Sequence, residues 1–313
     1  MSYELISYEL KDKTAVIAFN DPKTMNACGV DTAQELLHAL EKAAGEARCT
    51  VITGNGRGFC SGANLGKVSG PSLSHPGSKP DAGRPLDTHY NPLIVAIREH
   101  PHPVITAVNG AAAGVGCSIG LMGDLVVAAK GAYFLQAFRR IGLVPDGGST
   151  WLLARTIGRV RAMEMALFGE KLPAEKALEW GMVNKVVEDD QLMATAMEWA
   201  ETLSNGPTVA LAGTRKLIWD ACEADFGEAL HSERLAQRTA GRTADFAEGV
   251  KAFLEGRAAL LGHTGLKATR ERCREQRANH AAFFPRSAMT SASIVARASP
   301  KYMRLFSWKN SGF

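Results

Sequence analysis

The sequence predicts an α/β protein in which a sheet-forming half precedes a helical half. Short β-branched apolar runs alternate with a helical segment in the first half, and helical windows follow one another after Pro145. The 313 residues are 46% apolar and 22% charged, an ordinary composition for a folded chain with a sizeable core.

The elements follow in order. Ala15–Phe19 and Thr50–Thr53 read as buried strands, and between them Thr32–Ala44 places Leu36, Leu37, Leu40, Ala43 and Ala44 on one helical face, with Asp31 as its expected cap. Gly66–Pro92 is rich in Gly, Pro, Ser and Asp without a period, so a long loop is expected. Val104–Val108 and Leu125–Ala129 are two further strands, each beside a run of small residues. Helical windows then cover Ser149–Thr156, Ala162–Phe168, Pro173–Glu179, Gln191–Leu203, Thr208–Trp219, Phe226–Arg238 and Thr243–Glu255, interrupted by a strand at Met182–Val187. No period of 20–50 residues repeats, which argues against a solenoid.

Charge is unevenly spread. Residues 264–313 hold ten Lys/Arg against Glu271 and Glu275, a net +8, whereas the whole chain is +4 and residues 1–263 are therefore −4. The expected division is a core over 1–200, a helical region over 201–263 and a poorly ordered basic tail over 264–313. A basic tail can contact nucleic acid, but this one has no recognition motif, so a solvated appendage is the expectation. The six cysteines form no CxxC pair and Met1–Leu10 has no apolar signal core, which together point to a reducing cytoplasm. The longest apolar stretch, Val104 to Leu135, is broken by Asn109, Asp124, Lys130 and several glycines, so no membrane segment is expected.

The sequence contains neither HExxH nor the phosphate-binding GxxxxGK[ST], and Gly114, Gly116 and Gly120 miss the dinucleotide spacing by one residue. His100 and His102 alternate with prolines and have no acidic or cysteine cluster to complete a metal site, so both are expected at a surface turn. Two loops are more informative. Gly58–Leu65 (GFCSGANL) and Asn109–Gly120 (NGAAAGVGCSIG) each follow a strand and consist almost wholly of small residues. Such loops let a ligand approach main-chain N–H groups, and two of them at strand ends favour a shared oxyanion hole over mere helix packing. A third segment, Gly142–Thr150 (GLVPDGGST), carries Asp146 in a Pro-Asp-Gly-Gly turn. Local chemistry leaves Asp146 open between a turn or capping residue and a general base whose pKa an apolar neighbourhood would raise.

These three segments together, in this order over residues 3–262, resemble the crotonase (enoyl-CoA hydratase/isomerase) family. The resemblance implies a spiral of ββα turns with a helical C-terminal trimerisation region, a homotrimer or dimer of trimers, and an acyl-CoA thioester as substrate. By position it implies the amides of Ala63 and Val115 as the oxyanion donors. Asn64, Leu65, Gly114, Ser118, Phe138 and Trp151 are expected at the substrate, coenzyme A being part of the substrate and no other cofactor or metal being implied. Val115 departs from the glycine usual at that place, so its side chain is expected to point away from the ligand.

The acid/base groups depart further. Where family hydratases place two glutamates, this chain has Ser118 and Phe138. Asp146 stands where family isomerases carry a single acidic catalyst, and AFRRIGLVPDGGSTWLL with HYNPL upstream is most similar to the 1,2-epoxyphenylacetyl-CoA isomerase branch. The expected activity is therefore isomerisation of a double bond or epoxide, with Asp146 moving the proton. Hydration, aryl-CoA dehalogenation by a nucleophilic Asp146, and a non-catalytic RNA-binding relative are the alternatives.

Overall fold

The computed structural model describes residues 3–64 and 81–262, all within one compact unit, Met1–Arg270. The basic tail 264–313, Leu65 and most of the Gly66–Pro92 loop lie outside the described residues.

Among the described residues ten strands form two sheets. The larger contains β1 (Ile6–Lys11), β2 (Thr14–Phe19), β3 (Cys49–Gly54), β5 (Val104–Val108), β7 (Leu125–Ala129) and β10 (Lys185–Val187), in the order β1-β2-β3-β5-β7-β10. The smaller contains β4 (Gly58–Cys60), β6 (Ala111–Ala113), β8 (Tyr133–Leu135) and β9 (Leu172–Pro173), in that order. Consecutive strands alternate between the sheets from β3 to β8, and neighbours within each sheet over this stretch run parallel. That is the ββα spiral: each turn gives one strand to each sheet and moves the chain along by one place. Only β1 with β2 and β8 with β9 are antiparallel among the described pairs.

The large sheet reads as continuous apolar runs because its middle strands are covered on both faces. All five residues of β5 are buried, and helix α1 (Val30–Glu46) buries Leu36, Ala39, Leu40, Ala43 and Ala44. Its cap is Gly29, and Asp31 lies within the first turn, so the helix begins earlier than expected. Phe19 on β2 meets Phe59 on β4 edge-on at 5.5 Å, joining the two sheets in one core.

The remaining α-helices among the described residues are α2 (Asn91–Arg98), α3 (Val115–Leu121), α4 (Ser149–Thr156), α5 (Gly158–Phe168), α6 (Ala174–Glu179), α7 (Leu192–Ser204), α8 (Thr208–Ala221), α9 (Phe226–Ala240) and α10 (Ala244–Glu255). Helix α2 and the π-helical turn Leu86–Tyr90 before it correct the end of the expected long loop. Pro92 sits in the first turn of α2, where its missing N–H costs nothing.

The chain also buries groups that looked superficial in the sequence. His100 and His102 are 5% and 0% exposed, with their Nε2 atoms 2.9 Å apart and the Thr50 hydroxyl between them. Burial lowers both pKa values, that of His102 to about 3, so the pair is neutral. Arg215 on α8 donates to Asp124 Oδ2 at 2.6 Å and to the carbonyls of Ile97, Arg98 and His100, fastening α8 to the end of α2. The extended HPHP segment thus ends a helix and hides its imidazoles instead of displaying them.

Candidate active site

The first small-residue loop leaves the smaller sheet at Cys60 and forms a single parallel bridge between Cys28 and Ala63. In it the Cys28 N–H donates to the Gly62 carbonyl at 2.7 Å. A trans peptide points its C=O and N–H in opposite directions, so occupying the Gly62 oxygen aims the Ala63 N–H away from Cys28. The second loop turns from β6 into α3 at Gly114, whose φ is +53°. The Gly114 carbonyl accepts the N–H groups of Cys117 at 3.0 Å and Ser118 at 3.2 Å. The Val115 N–H therefore points outward from the first turn of α3, where a helix has no internal acceptor to offer. Among the described residues no acceptor takes the Ala63 or Val115 N–H.

The two peptides are adjacent. A methyl built on Gly114 would lie 3.7 Å from the α-carbon of Gly62, and one on Gly62 would lie 3.9 Å from that of Gly114. Close approach also explains Gly116, where a side chain would collide with the main chain of Cys60.

The third segment brings Asp146 to the same place. Its carbonyl accepts from the hydroxyl of Ser118 at 3.0 Å, from the hydroxyl of Ser149 at 2.8 Å and from the Ser149 N–H at 3.1 Å. Gly147 then takes a φ of +59° against α3, where a β-carbon would meet the Ser118 side chain at 2.9 Å and Val115 Cγ2 at 3.5 Å. The cap of α4 is Gly148, so the Asp146 carboxylate is not a helix cap. Its Oδ1 is buried without a hydrogen-bond partner among the described residues, and burial pushes its pKa up to about 6.

The other residues singled out from sequence fall into two groups. Val115 is 2% exposed and directs its side chain at the Asp146–Gly147 turn. Phe138 is buried and sets its ring 3.7 Å from the place a Gly114 side chain would fill. Asn64 lies against Gly29 at the start of α1. Ser118 is wholly buried, and its hydroxyl goes to main-chain carbonyls, so it braces the turn. Trp151 is not brought to this cluster, because it lies two residues beyond the inward-facing Ser149 and so on the far side of α4. Its ring stacks on Trp219 at 6.1 Å beneath Arg98 and Arg155, and it lines a separate cavity of about 340 Å³ with Arg215 and Met182. Leu65 lies outside the described residues.

Tyr90, within the HYNPL run, joins this cluster from outside both small-residue loops. It is 4% exposed, its hydroxyl donates to the Cys28 carbonyl at 2.7 Å, and Asp146, Cys28 and Cys60 all lie close enough to help raise its pKa, with burial the largest cause. No group of three or more metal-ligating side chains occurs among the described residues.

Residues 9–262 match the model of the enoyl-CoA hydratase/isomerase family. A protein of Rhodobacter capsulatus named a probable enoyl-CoA hydratase is 43% identical over 82% of this chain and 97% of its own length. The 1,2-epoxyphenylacetyl-CoA isomerase of Escherichia coli is 41% identical over 81% of this chain and 97% of its own. Among solved structures, an enoyl-CoA hydratase from Polaromonas sp. JS666 superposes with a TM-score of 0.75 at 32% identity, covering 82% of this chain and 99% of that one.

Proposed function

Because the chain belongs to the enoyl-CoA hydratase/isomerase family, we propose that it is an acyl-CoA isomerase working through a backbone oxyanion hole and one carboxylate. The observation that carries this reading is Asp146, a half-buried carboxyl with a pKa of about 6 and an unpartnered buried oxygen, in the turn that packs through Gly147 against Ser118 and Val115 of α3.

Removing a proton from the carbon chain of a thioester moves negative charge onto the carbonyl oxygen. The Ala63 and Val115 N–H groups receive that oxygen and are worth roughly 3–4 kcal/mol each in the transition state, the scale seen when one such donor is removed. Ionised Asp146 takes the proton, and the resulting carboxylic acid returns it to another carbon of the conjugated system. A carboxyl with a pKa near the working pH suits both halves of the cycle. The proton leaves and returns without net oxidation, so the cycle is complete with no cofactor beyond the coenzyme A of the substrate. Gly114 and Phe138 line the acyl side in this reading, and Asn64 the coenzyme A side. Ser118 and Phe138 stand where hydratases of the family would need carboxylates, which disfavours activation of water.

The deciding experiment is Asp146→Asn with a 3-enoyl-CoA and an epoxyphenylacetyl-CoA. Turnover is expected to fall at least 100-fold with thioester affinity within a few-fold, and retained turnover removes Asp146 from the mechanism. The name of the Rhodobacter relative supports a second reading, hydration, for which water addition to crotonyl-CoA is the assay. Self-association as a trimer or dimer of trimers is part of the proposal, supported by apolar side chains left open on α10, where Phe253 is 85% and Leu254 78% exposed. A cytoplasmic location is likewise proposed; no described helix is long and apolar enough to cross a membrane.

A further inference from the structure

The Ala63 N–H is oriented by a chain of contacts that begins on a side chain outside both small-residue loops. Tyr90 donates its phenolic hydrogen to the Cys28 carbonyl at 2.7 Å. The N–H of the same Cys28 donates to the Gly62 carbonyl at 2.7 Å, and the Gly62–Ala63 peptide carries the donor N–H at its other end. Residue 28 is thereby held on both sides, by Tyr90 through its C=O and by Gly62 through its N–H. Cys28 is 0% exposed, so water does not replace the phenol on its carbonyl. The Val115 donor needs no such brace, because the first turn of α3 holds its peptide through Gly114.

We propose that Tyr90 is a positioning residue whose hydroxyl, acting through Cys28 and Gly62, sets the direction of the Ala63 N–H at the thioester oxygen. The inference rests on the oxyanion-hole reading above and adds to it a residue that touches neither donor peptide. The phenol keeps its hydrogen throughout the working range, since burial and the neighbouring Cys28, Cys60 and Asp146 all disfavour its ionisation. Tyr90 therefore acts as a permanent donor and takes no part in moving the substrate proton.

The test is Tyr90→Phe, which keeps the ring and removes only the donor, read with cinnamoyl-CoA as a chromophoric thioester. Polarisation of the bound carbonyl shifts the absorption band of this probe to the red. The expected result is a red shift reduced by half or more and a kcat lowered about tenfold. The dissociation constant for a saturated acyl-CoA is expected within twofold of the parent, and the pH profile keeps its limb near 6. A side chain that only stabilised the fold would lower the melting temperature and the active fraction but leave the band of bound probe in place. An unchanged red shift in Tyr90→Phe, with the parent showing a full one, overturns the role of Tyr90 alone. No red shift in the parent overturns the oxyanion-hole reading and the proposal with it. Should Tyr90→Phe fold poorly, 3-fluorotyrosine at position 90 restores ring and donor together. The fluorinated phenol is the stronger donor, so a further red shift of the bound probe supports the proposal, and a band left at the parent position overturns it.

Discussion

Ser118 donates its hydroxyl to the backbone carbonyl of Asp146 at 3.0 Å, tying the helix that presents the Val115 N–H to the turn that presents the carboxylate. The two halves of the proposed chemistry, a rest for negative charge and a carrier for the proton, are thus referenced to one short helix. Gly147 completes the fit by bringing the turn against α3 where a side chain would not pass.

Val115 is the first residue of α3, a position whose φ suits proline and whose N–H has no internal acceptor. Val115→Pro is therefore expected to remove the donor with little change in fold. Steady-state kinetics should show kcat reduced about 10²–10³-fold, the cost of one oxyanion donor, with a melting temperature close to that of the parent.

Asp146 has a pKa of about 6 in the folded chain against an ordinary 3.8. As the base it works ionised, so kcat/KM is expected to rise with unit slope up to about pH 6 and to level off above it. Stability takes the opposite course. The folded chain binds this proton more tightly than the unfolded one, so the contribution is fully present below about pH 4 and is lost as pH rises through 6. Asp146→Asn should therefore be more stable than the parent above pH 6, by on the order of 1–2 kcal/mol with screening at a partly solvated site, measured by urea titration.

Trp151 packs on Trp219 under two guanidinium groups. Trp151→Leu is expected to cost about 1–3 kcal/mol in stacking, cation–π contact and packing, while KM across a panel of enoyl-CoA chain lengths stays within twofold. A chain-length-dependent KM would return Trp151 to the acyl pocket.

Arg215 is 7% exposed and serves Asp124 and three carbonyls at once. Arg215→Met leaves those acceptors buried without a donor and should cost about 3–5 kcal/mol, seen as a lower urea midpoint with unchanged kcat per folded molecule.

Much of the architecture was legible because its signals are local. Val104–Val108, Leu125–Ala129 and Ser149–Thr156 follow directly from β-branched runs and an amphipathic window, and the structure has them at those bounds. The strands of the small sheet were not legible: three residues each at 58–60, 111–113 and 133–135 are too short for a period and owe their conformation to parallel neighbours. The site divides the same way. Loops of small residues and an Asp-Gly-Gly turn announce backbone donors and a carboxylate, but Trp151 faces away because helical phase at the start of α4 was not fixed by the sequence. His100 and His102 were misplaced because a proline-bounded segment looks superficial until Thr50 and Arg215 are seen to supply its partners. HYNPL marks Tyr90 only as part of a resemblance, since its proposed role lies in a bond to residue 28, which is 62 positions away.

Both proposed donors belong to the main chain, and they are inherited with the scaffold rather than with a particular codon. A lineage built on this spiral can exchange acids, hydroxyls and rings around the acyl group one substitution at a time while the charge-receiving pair persists. In the proposed mechanism such exchanges redirect where the carbon chain is reprotonated and leave the enolate-stabilising pair in place.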